Sequence, residues 1–178
     1  MNVLLVNDHY SFGGAENYVR SLEKELEEKH EVETLTLDGS DESDHSVEES
    51  SNPVFKLRNR YFSNRKIKRE VRETVEDVDP DVVHLNKNTV APVAVLKGLE
   101  GEKVVKTVHD FGFVSLEDKY AYKMNRWERK LRKTLDKGTQ TYLNKLRENI
   151  IDRYTAPSKA LTQELEKNNY RPATHLPN

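Results

Sequence analysis

The chain has 178 residues, 35% of them hydrophobic and 34% charged, which suits one domain with a single core. It has no cysteine, which excludes disulfides and thiolate metal sites, and no run approaches the roughly 18 to 20 apolar residues of a membrane-spanning helix. Its 29 Lys and Arg against 31 Asp and Glu leave a formal net charge of -2, a balance that argues against a dedicated nucleic-acid binder.

Asn2 to Asn7 (NVLLVN) is a short apolar run with β-branched members, the pattern of a buried parallel strand. Ser11 to Gly14 interrupts it. From Ala15 the apolar residues Val19, Leu22 and Leu26 recur at three- and four-residue spacing, which predicts an amphipathic helix, and Val32 to Leu37 alternates as the next strand. Strand, glycine turn, helix and strand make one βαβ unit with a right-handed crossover. Asp38 to Asn52 is acidic, serine-rich and almost free of apolar residues, so a mobile surface loop is expected. Lys56 to Arg72 reverses the charge, with one acid, Glu70, among eight cations.

The pattern continues with a helix from about Ile67 to Val78, a strand at Asp81 to Leu85, a helix near Val90 to Leu99 and a strand at Lys103 to Val108. Two helices, about Leu116 to Lys137 and Thr139 to Asn149, precede a strand at Asp152 to Ala156. A last helix runs to about Lys167, with Ser158 as its N-cap. The alternation predicts an α/β domain built on a Rossmann-like, doubly wound parallel sheet flanked by helices.

Two stretches can carry chemistry. Gly13 and Gly14, between the first strand and the first helix, allow a sharp turn that presents bare N–H groups at a helix N-terminus. The spacing leaves two readings open, an anion site for a diphosphate or phosphorylated acceptor, or a plain βα turn. The third glycine of a dinucleotide fingerprint and the Lys-Ser or Lys-Thr of a Walker loop are both missing. His109 and Asp110 follow a predicted strand at its carboxyl end, where a His can bond a sugar hydroxyl or phosphate and the Asp can orient it. A loop His bonded to backbone is the plain alternative. His9, His30, His45, His84 and His175 show no metal-ligand spacing, so no metal and no cofactor is expected.

Taken in order, NVLLVN followed by FGGAENYVRSLEKEL, PDVVHLN (Pro80 to Asn86), TVHDF (Thr107 to Phe111), TAPSKALTQEL (Thr155 to Leu165) and the terminal LPN closely resemble the N-terminal domain of retaining, family-4 glycosyltransferases of the GT-B fold. The chain departs from the family pattern at Asn86, where many members carry His, and in the polar helices from Leu116 to Asn149. The resemblance implies that residues 1–178 form the acceptor-side half of a GT-B enzyme whose C-terminal, nucleotide-sugar half is absent. It further implies that Gly13 and Gly14 face the donor diphosphate or the acceptor, that Glu16 fixes their loop or contacts acceptor, and that Ser158 lines the inner wall of the cleft. By the same resemblance His109 contacts the transferred sugar or the attacking hydroxyl, supported by Asp110. The donor is expected to be a UDP- or GDP-linked sugar, the acceptor a glycan or a lipid-linked molecule, and the isolated chain inactive. A non-catalytic module holding a glycan or lipid phosphate is the competing expectation.

Lys119 to Lys133 mixes cations with aromatic residues, and with Lys56 to Arg72 it offers a basic patch through Arg65, Lys66, Arg69, Lys123, Arg126, Trp127 and Lys130. Such a patch suits either an anionic membrane surface or a solvated helix face. The expected location is cytoplasmic, with the patch able to meet the inner membrane face, and no nucleic-acid partner is expected.

Overall fold

In the computed structural model the first apolar run is strand β1 (Asn2–Asn7) and the first amphipathic stretch is helix α1 (Gly14–Glu27). The chain continues through β2 (Glu31–Thr36), β3 (His45–Ser46), α2 (Arg65–Val78), β4 (Val82–Leu85) and α3 (Pro92–Gly98). It then forms β5 (Val104–Thr107), α4 (Arg126–Ile150), β6 (Ile151–Ala156), α5 (Lys159–Lys167) and β7 (Ala173–His175). The structure describes residues 1–10, 13–48, 52, 55, 58, 59, 62–109, 113, 126–170 and 172–176, with the backbone alone at 15 and 126–137.

The strands form one parallel sheet in the order β3-β2-β1-β4-β5-β6-β7. The chain steps outward from β1 to β3, then returns to the other side of β1 and steps outward again to β7, so the winding reverses between β1 and β4. Right-handed crossovers then put α1 on one face and α2 to α5 on the other. The core divides accordingly. Leu4 and Val6 of β1 join Val71 and Val75 of α2 and Leu96 of α3 in the larger cluster, while Val3 and Leu5 pack with Val19 of α1 in a smaller one.

Helix α2 begins where Asn64 accepts from the N–H groups of Lys66 (2.9 Å) and Ile67 (3.4 Å), an N-cap that satisfies otherwise orphaned donors. Ile67, Val71, Val75 and Val78 then form its buried stripe. At Gly98 the helices α2 and α3 come so close that an added Cβ would lie 2.6 Å from Val71 Cγ1.

Two expectations are corrected, and one strand is added that none foresaw. The acidic segment is tied down through residue 48: Asp44 accepts from the Thr34 N–H and hydroxyl at 2.8 Å, His45 meets Glu33 at 2.6 Å, and the chain adds β3 to the sheet. Buried Val47 is the apolar anchor that composition alone concealed. From Arg126 onward a single helix replaces the two expected, since α4 runs through Gly138 without a break; residues 116–125 fall outside the described residues. Finally β7, too short for any periodicity to reveal, adds an outer strand beside β6.

Candidate functional site

The reversal sets the carboxyl ends of β1 and β4 side by side, with Val6 opposite Leu85. Ligands of open α/β sheets bind in the crevice outside such a point. Both strands end in polar residues that knit the two loops together. Asp8, fully buried, accepts from the Thr89 N–H (2.8 Å), the Thr89 hydroxyl (2.6 Å) and the Val90 N–H (3.2 Å). Asn7 accepts the Lys87 N–H at 3.0 Å and donates to the His9 carbonyl at 2.6 Å.

Gly13 is the N-cap of α1, with φ 150. Its missing Cβ leaves room for the carboxylate of Glu16, which a side chain there would strike. Glu16 lies in the first turn of α1 with a side chain only 3% exposed, and it pairs with Lys87 Nζ at 3.0 Å, Lys87 itself being 38% exposed. A carboxylate in that turn complements the partial positive charge of the helix N-terminus. The protein's own anion therefore shares the place where the glycine loop favours one. Gly14 is exposed, with open space around it.

His109 follows β5, and its ring meets Tyr18 of α1 edge-on with 5.0 Å between centroids. The glycine loop's helix and the His109 loop are thus brought together over the crevice. Beside them a polar chain crosses the sheet: His84 Nε2 lies 2.7 Å from the Thr107 hydroxyl, which lies 2.7 Å from that of Thr155. Burial first, then the charges at Lys106 and His109, hold the His84 pKa down to about 4, so its ring is neutral at neutral pH.

Beneath the loop, buried Lys106 donates from Nζ to the Asn86 carbonyl. Its ammonium lies 5.7 Å from the Phe113 ring, over which the Arg147 guanidinium sits at 4.0 Å. Burial lowers the Arg147 pKa, and Tyr154 and Tyr170 complete an aromatic cluster with Phe113.

Of the residues expected to matter, Gly13, Gly14, Glu16 and His109 converge on the crevice. Asp110 and Lys123 lie outside the described residues, and Arg126, Trp127 and Lys130 fall in the part of α4 known by backbone alone. Ser158 caps α5 as expected, its hydroxyl accepting from Leu161 N–H at 3.2 Å. Lys66 and Arg69 of α2 pair locally with Glu70 (3.5 Å) and Glu73 (3.4 Å), and no described bond carries Arg65, Lys66 or Arg69 to the crevice. Sequence reasoning missed Lys87, Asp8, Tyr18 and His84. The one signal available was the pair of polar residues, Asn7 and Asp8, ending a buried strand where apolar residues were the rule. Among the described residues no three His, Asp or Glu side chains are grouped to hold a metal ion.

No curated protein matches the chain. Its structure is similar to UDP-GlcNAc 2-epimerase from Methanocaldococcus jannaschii, with a TM-score of 0.55 and 9% identity over 94% of this chain and 42% of that one. It is also similar to sucrose-phosphate synthase from Thermosynechococcus elongatus, with a TM-score of 0.62 and 16% identity over 98% of this chain and 47% of that one. The chain spans less than half the length of either, and at these identities the likeness is one of fold, in agreement with the Rossmann-like, GT-B-type half expected. Residues 12–178 match the family model described as Glycosyltransferase Family 4. The match covers both converging loops and nearly the whole sheet, and the chain belongs to glycosyltransferase family 4.

Proposed function

We propose that this chain is the acceptor-binding, N-terminal domain of a glycosyltransferase that moves a sugar from a UDP- or GDP-linked donor to a glycan or lipid-linked acceptor. A C-terminal domain, in the same polypeptide or as a separate subunit, holds the nucleotide and supplies the charges that stabilise the departing diphosphate. Without it the chain transfers little or nothing. The observation that carries this reading is the meeting of α1 and the His109 loop, through Tyr18 and His109, at the reversal of the sheet.

In this reading the attacking hydroxyl sits in the crevice within reach of His109, which takes or shares its proton, and Gly14 leaves room for the donor phosphates. Glu16 keeps its charge balanced by Lys87 and acts on loop position rather than as a base. Ser158, through the turn that it caps, lines the inner wall, and Asp110 supports His109.

Among the described residues no helix is long and apolar enough to cross a membrane. The exposed rings of Phe55 and Phe62, with Arg58 stacked 5.3 Å over Phe55, lie in the segment that leads into the basic helix α2. They support a peripheral contact with the anionic cytoplasmic face of a membrane, where a lipid-linked acceptor would be met. The net charge of -2 gives no support to a nucleic-acid partner.

The test is transfer of labelled sugar from UDP- and GDP-sugars, measured for the chain alone and with a family C-terminal domain supplied. Transfer is expected only in the second case, and His109→Ala is expected to lower kcat by about 100-fold or more while leaving the melting temperature unchanged. An unaltered rate removes His109 from the chemistry. Acceptor binding with no transfer in any combination makes the chain a non-catalytic glycan- or lipid-phosphate-binding module instead.

A further inference from the structure

The loop after β4 holds two polar atoms without partners among the described residues. Asn86 is 1% exposed and Asn88 is half-buried, yet the side-chain oxygen Oδ1 of each is buried with no hydrogen bond. Both amides are oriented by their other end: Asn86 Nδ2 donates to the His84 carbonyl and Asn88 Nδ2 to the Pro92 carbonyl, each at 3.4 Å. A carbonyl only accepts, so the nitrogen must face it and the oxygen must point away. Two such oxygens, with one residue between them and left unsatisfied, each carry an uncompensated desolvation cost.

Their place is the crevice. Leu5 of β1 lies opposite His84, so the alternation of a strand puts Asn7, His84 and Asn86 on the α1 face. The Asn86 N–H continues the ladder to the Val6 carbonyl, which fixes Asn86 at the mouth of the reversal. Between the two asparagines stands Lys87, whose charge is already matched by Glu16.

We propose that Asn86 and Asn88 form a hydroxyl-reading subsite for the acceptor, one that takes an uncharged, polyhydroxylated sugar in preference to a phosphorylated one. This rests on the acceptor-domain reading above. An amide oxygen that can only accept needs a donor, which a sugar hydroxyl is and a phosphate oxygen is not. Lys87 between them is already paired with Glu16, and buried Lys106 is turned to the Asn86 carbonyl, so neither cation is directed at the two oxygens. A sugar hydroxyl that reaches either oxygen supplies the donor it lacks, and a sugar without that hydroxyl leaves a buried acceptor unpaired, which is how such a subsite discriminates.

The experiment follows the side-chain amide resonances of Asn86 and Asn88 in ¹⁵N-correlated NMR spectra of the chain. The probes are the methyl glycosides of glucose, galactose, mannose and N-acetylglucosamine, then the 6-phosphate of whichever binds. At least one neutral glycoside is expected to shift both amides, with its phosphate binding about tenfold more weakly. Asn86→Ala and Asn88→Ala should each weaken that binding by about tenfold in the folded variant. If Asn86→Ala does not fold, Asn88→Ala decides. Shifts confined to Gly13 and Gly14 overturn the subsite and leave the acceptor reading standing. Equal or tighter binding of the phosphate overturns the class of ligand, and unchanged affinity in the folded variants, or no shift with any neutral glycoside, overturns the proposal. Transfer by the reconstituted enzyme, measured separately, reports on the acceptor reading alone.

Discussion

The crevice and helix α2 use charge in opposite ways. On α2 the pairs Lys66–Glu70 and Arg69–Glu73 join residues four apart on its outer face, and among the described pairs only Arg72, which also meets Glu76, reaches out of the helix, to Glu102 at 3.0 Å. In the crevice Lys87 reaches Glu16 across 71 positions of sequence, and Thr89 reaches Asp8 across 81. The first kind of pair decorates a helix that its buried stripe already specifies. The second ties the two loops of the sheet reversal into one piece through carboxylates that are themselves buried. Charges that hold a fold together are therefore found here by burial and topology, while Lys66 and Arg69, in the most conspicuous charge run of the sequence, are matched within their own helix.

The comparison sharpens most at His84, whose neutral ring anchors the polar chain across β4, β5 and β6. Its folded pKa of about 4 lies below the ordinary value of 6.5, so below pH 6.5 the unfolded chain binds the proton that the native state refuses. Stability from this group is fully present above pH 6.5 and is lost as pH falls through 4, to a total of about 3 kcal/mol. Urea denaturation between pH 7 and pH 4 should show that loss, and His84→Gln should flatten the slope. An unchanged slope in the variant would move the acid sensitivity to another group.

Lys87→Met is the next test. It strands the carboxylate of Glu16, but Lys87 is more than a third exposed, so the expected loss is about 2 kcal/mol rather than the 3–5 of a fully buried pair. The double variant with Glu16→Gln should recover most of it. A single-variant loss below about 0.5 kcal/mol would put the crevice pair in the same class as those of α2.

The elements with a period were legible in sequence: β1, α1 and α5 fall where the apolar spacing and the Ser158 cap put them. The residues Gly13, Gly14, Glu16 and His109 of the candidate crevice were also within reach of sequence, because they follow strands in short, recognisable patterns. What was not legible depends on the third dimension. Lys87 reads as one more surface lysine until β4 is known to lie beside β1, and His84 reads as a strand residue until Thr107 and Thr155 come alongside. Acidic residues 38–48 suggested a free loop because Asp44 and His45 find their partners only in β2.

The smallest effect is expected on α2. Replacing Lys66 or Arg69 by Gln should change stability by less than about 0.5 kcal/mol, and less still in 0.5 M salt, because exposed pairs four apart are screened and entropically costly. The same substitutions separate two uses of the helix. If α2 is only a solvated face, vesicle binding is indifferent to them. If it meets an anionic membrane, each lost cation weakens binding to phosphatidylserine vesicles by about 1 kcal/mol, roughly fivefold, with no matching change in melting temperature. A cation that is nearly silent in folding and measurable at a membrane is retained for a surface the fold itself does not need, which is the converse of Lys87, tied to a buried carboxylate and costly to remove.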